Sequence, residues 1–167
     1  MGYSPPLGDA TDVSCMRFEL LILLAHVAST WAMTGLIWFV QVVHYPLFAA
    51  VGREAFVAYE NAHTRLTTLV VMPLMLVEIA TAAWLVFVGR PAGIPLWSVW
   101  VGLALVGVAW LSTFALQVPQ HNVLSTRWDS AAQGFLVHSN WVRTVAWSAR
   151  GVLVLAMVYG MIEGMKR

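Results

Sequence analysis

The run Glu60-Asn61-Ala62-His63 places a carboxylate and an imidazole three residues apart. On a helix those positions share a face, and bundles that bind two metal ions use this spacing together with a second such pair and further carboxylates. Here the pair occurs once, so it does not define a two-metal centre. Three imidazoles are the stronger constellation. His44 ends one long apolar stretch, His63 opens the next and His121 follows a third. Brought together, they can bind one Zn, Fe or Cu ion, with Glu60 as a fourth ligand or as a base, or supply axial ligands to haem. Gln41 and Gln117 stand near the same ends of their stretches and join the expected cofactor pocket. Arg143, three residues after Asn140, can clamp a carboxylate, a phenolate or a quinone carbonyl. Trp38 and Trp147 are candidate pocket walls, and His138 stands in a connection of uncertain phase.

The elements that must position these groups follow from composition. Of 167 residues, 60% are hydrophobic and only 10% charged, against about 25% charged in an ordinary soluble domain. Such a chain is expected to be a membrane protein. Nine Lys plus Arg against eight Asp plus Glu leave a net charge of +1, with no basic run beyond Lys166-Arg167, so no footprint for nucleic acid exists. The single Cys15 excludes an internal disulfide and any CxxC pair. Asp9 and Asp12, with no basic segment ahead of the first stretch, speak against a cleaved signal.

Four apolar stretches, approximately 18–44, 66–88, 96–117 and 141–161, each reach the roughly 20 residues that cross a hydrocarbon core. The predicted fold is an all-α, single-domain bundle of four transmembrane helices running up and down. A short interfacial helix is expected in the amphipathic connection 45–65, a tight turn at Gly89 to Pro95, and a polar capping connection over 118–140. Both termini then share one side. Lys and Arg are balanced between the two faces, and the terminal basic pair favours cytoplasmic termini.

Polar residues inside the spans are expected to turn inward. His26 and His44, five helical turns apart, should share a face about 27 Å apart. Two layers result: an upper one of Gln41, His44, Glu60, His63, Gln117, His121, Asn140 and Arg143, and a lower one of His26, Glu78 and Arg150, in which Glu78 and Arg150 are expected to neutralise each other.

The segments Gly35 to Phe48 (GLIWFVQVVHYPLF), Tyr59-Glu60 with His63, Gln117 to Leu124 (QVPQHNVL) and Asn140 to Thr144 (NWVRT) resemble a small bacterial integral-membrane family of unknown function, itself distantly similar to the anthrone oxygenase-like proteins. The similarity spans roughly residues 35–151. Pro119, Asn122 and Leu124 match that group's Pro-x-x-Asn-x-Leu pattern, and Trp141 with Arg143 approximates its late Trp-x-x-Arg with the spacing one residue shorter. A more remote likeness, in the His-rich four-span layout, is to the haem-binding bacterial membrane protoporphyrinogen oxidase, with His26 as the counterpart of its early-helix histidine. The resemblance implies an oxygenase-like membrane oxidoreductase of a bacterial inner membrane, acting on a hydrophobic substrate. Residues and resemblance together predict His44, His63 and His121 as ligands of a metal or haem, Glu60 as proton carrier, and Arg143 with Asn140 as substrate clamp. Two other expectations come from the sequence: a cofactor-binding or assembly subunit that packs through small residues (Ala80, Ala82, Ala83, Gly102, Gly107) against itself or a larger membrane complex, and a proton or solute path through the two layers.

Overall fold

The computed structural model describes residues 8–166, which contain helices and turns only. Helix α1 spans Gly8–Phe39 and continues through a π turn, Val40–His44, into the short α2, Tyr45–Leu47, and a 3₁₀ turn, Phe48–Ala50. After a break at Val51-Gly52 comes α3, Arg53–Phe87. Helix α4, Leu96–Ser112, passes through a second π turn, Thr113–Gln117, into α5, Val118–Leu124, and α6 runs over Ser130–Gly164. Four helical runs are long and apolar enough to cross a membrane: Met16–Ala50, Arg53–Phe87, Leu96–Leu124 and Ser130–Gly164. Helix α1 packs against α3 and α6, and α4 packs against the same two. The chain is therefore an all-α four-helix bundle with the architecture of a multi-pass integral membrane protein.

Two connections differ from the sequence expectation. The amphipathic stretch 45–65 is divided between the short turns that end the first span and the opening turns of α3, and the expected cap at 118–140 is almost entirely α5 and the start of α6. The reason is helical burial beyond the apolar windows. Phe56, Glu60 and His63, spaced 4 and 3, are buried along α3, and Ala132, Leu136, Asn140 and Arg143 along α6. Only the short link 125–129 remains between α5 and α6. It ends at Asp129, whose carboxylate caps α6 by accepting from the N–H groups of Ala131 and Ala132, each at 3.0 Å.

The turn between the second and third spans has the expected Gly-Pro character. Gly93 has φ +86°, and a Cβ there would lie 2.3 Å from the carbonyl oxygen of Gly160, so only glycine fits.

Each π turn precedes a proline. Pro46 and Pro119 have no N–H, and each ring crowds the carbonyl four residues back, Val42 or Ala115, which lies within the widened turn. The extra residue per turn changes the helical phase. Position 44, counted inward from His26, is half-buried, and Tyr45 takes the interior place with 4% exposure.

Packing is inverted relative to a soluble bundle. Leu69, Leu111 and Val152 face outward, whereas His26, Glu60, Glu78 and Arg150 are enclosed. Two apolar clusters frame these groups: one around Met33, Ile37, Phe48, Phe56, Leu136 and Trp147, the other around Leu23, Leu85, Val99, Val154 and Met157. Ala82 and Gly102 are buried inside the bundle, so they serve its own packing.

Candidate functional site

At the end of the bundle that carries the first and third connections, Glu60, His63 and His121 converge. One ligand atom from each lies within 4.8 Å of the others. Helix α3 presents Glu60 and His63 on one face, and α5, restarted after the second π turn, carries His121 opposite them. Glu60 is fully buried. Its Oε1 lies 2.5 Å from His121 Nδ1, while its Oε2 is buried without a hydrogen-bond partner.

His44 lies beside this group but outside it. Its Nε2 is 2.8 Å from His63 Nδ1, which also contacts the Thr67 hydroxyl at 3.0 Å. His63 Nε2 is therefore its remaining ligand nitrogen. The convergent set is thus one carboxylate and two imidazoles, where the sequence led us to expect three imidazoles with a carboxylate. The π turn explains the difference, because it rotates His44 toward the rim.

Tyr45, which the sequence reading passed over, is the hub of the site. Its hydroxyl lies 3.0 Å from His121 Nε2 and accepts from Arg143 Nη2 at 3.1 Å. With a carboxylate as the terminal acceptor, the donors run one way: Arg143 to Tyr45 oxygen, Tyr45 O–H to His121 Nε2, and His121 Nδ1–H to Glu60. The signal available in the sequence was Pro46, whose effect on the preceding turn moves the phase by one residue.

Arg143 is buried at 7% exposure. Its Nε and Nη2 donate to Asn140 Oδ1, and its Nη1 donates to Thr113 at 3.3 Å. Asn140 in turn donates to Gln41 Oε1 at 2.9 Å, and Gln41 donates to the Val137 carbonyl at 3.1 Å. Asn140 and Gln41 have their amide groups engaged by protein, so they position Arg143 and join α6 to the first span. Gln117 accepts from Ser112 and donates to Ser139, each at 3.0 Å. It too is a link between helices, although it also lines the cavity. His138 is exposed.

A cavity of about 260 Å³ adjoins the cluster. Tyr45, His63, His121 and Arg143 form its polar end, and Met33, Ile37, Val71, Met75 and Trp147 its apolar end. Thr68, Phe114, Val118 and Asn122 line it and are also exposed, so it opens sideways between α3 and the third span.

The lower layer is closed. Glu78 Oε1 accepts from Arg150 Nε at 3.2 Å with Arg150 Nη2 at ion-pair distance, 3.1 Å, and Glu78 Oε2 accepts from Trp147 Nε1 at 2.8 Å. Arg150 also donates to the Gly102 carbonyl at 2.5 Å and to Thr30 at 3.1 Å. The Thr81 hydroxyl donates to the Val77 carbonyl at 2.7 Å, so His26 Nδ1, 2.8 Å away, donates to Thr81. The expected neutralisation of Glu78 by Arg150 is present. Trp147 divides the layers, lining the cavity while giving its N–H to Glu78.

The chain matches no protein-family model, no curated protein and no solved structure.

Proposed function

We propose that the protein is a membrane oxidoreductase of oxygenase type, with one metal ion held by Glu60, His63 and His121 and a lipid-soluble substrate in the adjoining cavity. The observation that carries this reading is Glu60 Oε2. A buried carboxylate oxygen without a donor is costly, and two imidazoles beside it complete a cation site. Two histidines and one carboxylate with open positions suit non-haem Fe(II). The same set favours an ion over haem, whose axial ligation leaves a buried carboxylate unused. When bound, ferrous ion supplies the one-electron chemistry that activates dioxygen.

The chain's own residues do the remaining work. His44 and Thr67 hold the His63 ring through Nδ1, as ligating imidazoles require. If an ion were held there, His121 Nδ1 would serve as ligand in place of donor to Glu60, the imidazole proton would sit on Nε2 and be donated to the Tyr45 oxygen, and the Tyr45 O–H would be available to a molecule in the cavity. Arg143 orients that molecule, and the lateral opening keeps bulk water out of its approach. Within the same proposal, the termini are cytoplasmic and the membrane is a bacterial inner membrane.

Metal analysis and an absorption spectrum of the detergent-purified protein test the centre. The expected result is about one ion per chain, lost in Glu60→Gln, His63→Ala and His121→Ala, with no Soret band. A Soret band that survives Glu60→Gln would replace the metal with haem. Absence of both cofactors from protein reconstituted with Fe(II), Zn(II) and Cu(II) in turn would eliminate the reading.

A further inference from the structure

The two arginines inside the bundle differ in one respect. Arg150 faces Glu78, but no carboxylate of the described residues lies within ion-pair distance of Arg143. Its partners Asn140, Tyr45 and Thr113 are all neutral groups. The acid nearest along the hydrogen-bond network is Glu60, reached only through Tyr45 and His121. A guanidinium at 7% exposure is expensive to hold without an anion, and this one lines the cavity.

We infer that the cavity takes a lipid-soluble monoanion, whose single anionic oxygen pairs with Arg143 while its apolar body lies along Met33, Ile37, Met75 and Trp147. The four hydrogen bonds that Arg143 makes use both N–H groups of Nη2, that of Nε and one of Nη1. A guanidinium has five, so the second N–H of Nη1 is the one left for a ligand. That favours a carboxylate or phenolate-type oxygen held at one point over a doubly bridged head group. The lateral opening admits a molecule partitioned in the bilayer, and the chain Arg143, Tyr45, His121 sets its charged end beside the proposed metal ligands. The inference refines the substrate class of the proposed enzyme, but the anion site itself stands on Arg143 and the cavity.

The test is equilibrium binding in an uncharged detergent, with 2-naphthoate against its neutral analogue 2-naphthalenemethanol. Wild type should prefer the anion by at least about tenfold, the low end for a hydrogen bond to a charged group. Arg143→Gln should abolish that preference and leave binding of the alcohol unchanged. Glu60→Gln, which removes the proposed metal ligand, should retain the preference, so failure of the metal reading is read separately from failure of this one. Met75→Trp, which fills the apolar end, should abolish binding of both probes and serves if Arg143→Gln does not fold. Equal affinity of wild type for the two probes, a preference that survives Arg143→Gln, or naphthoate binding unaffected by Met75→Trp would overturn the inference. So would competition by phosphatidylglycerol vesicles as strong as that by free naphthoate, because it would assign Arg143 to a lipid head group.

Discussion

Among the described residues the bundle buries two carboxylates and two guanidiniums, one of each in either layer, and treats them in opposite ways. In the lower layer both Glu78 oxygens have donors, from Arg150 and Trp147, and Arg150 also donates to Thr30 and the Gly102 carbonyl. In the upper layer, among the described residues, Glu60 keeps one oxygen without a partner and Arg143 has no carboxylate at ion-pair distance. The upper pair has the raw materials of a salt bridge, but Tyr45 and His121 stand between its two charges. A fold selected for stability alone would close both pairs. Of the open pair, Arg143 lines the cavity, and in the proposed function a bound ion and an anionic substrate complete the pair's electrostatics.

The largest effect should come from opening the closed layer. Glu78→Ala or Arg150→Ala strands a charge deep in the bundle and should cost about 3 to 5 kcal/mol, measured by unfolding in mixed micelles. Replacing both by leucine should recover most of that loss, since an apolar pair of similar volume is often neutral. If each single variant unfolds like wild type, the comparison between layers fails.

A smaller loss is expected at the boundary. Trp147→Phe keeps the cavity wall but removes the N–H to Glu78 Oε2. An unsatisfied buried acceptor costs about 1 to 3 kcal/mol. A variant that instead gains stability would show that Trp147 belongs to the open layer.

A yardstick outside both layers is Asp129. The backbone N–H of Ala132, helped by Ala131 and Arg127, holds its carboxyl below the usual range. Its cap is therefore fully present above the ordinary carboxylate range and is lost as pH falls through the lowered value. Asp129→Ala should lower the melting temperature less than Trp147→Phe does, and should remove that part of the acid sensitivity.

The smallest stability change, and one of opposite direction, is expected from Glu60→Gln. In metal-free protein it removes a buried charge with an unpartnered oxygen, so the melting temperature should hold or rise, even as metal binding is lost. A drop as large as that of Glu78→Ala would show that Glu60 serves folding, and the metal reading would lose its main support.

Much of the fold could be read from the chain. Low charge and four long apolar stretches specified a four-span helical bundle, and Glu78 with Arg150, polar residues on two spans with no reason to face lipid, pointed to each other. The helix ends were less legible. Hydropathy reports where lipid lies, whereas α3 and α6 continue past it on buried residues such as Phe56 and Leu136, whose neighbours are other helices. At the site, Glu60, His63, His121 and Arg143 were visible by type and spacing. Tyr45 was not, because Pro46 widens the preceding turn, and a regular 3.6-residue period puts position 44, not 45, inward.

By itself, then, the sequence determined the solvent, the number of spans and the residue types available for chemistry. These follow from composition and from periodicity along one helix. Which charges meet was a matter for the tertiary structure. Arg150 and Glu78 touch, whereas Arg143 and Glu60 are linked through Tyr45 and His121, which follow the π turns before Pro46 and Pro119. Those turns lead into the helices that carry Tyr45 and His121, which stand in the hydrogen-bond chain between Arg143 and Glu60 beside the cavity.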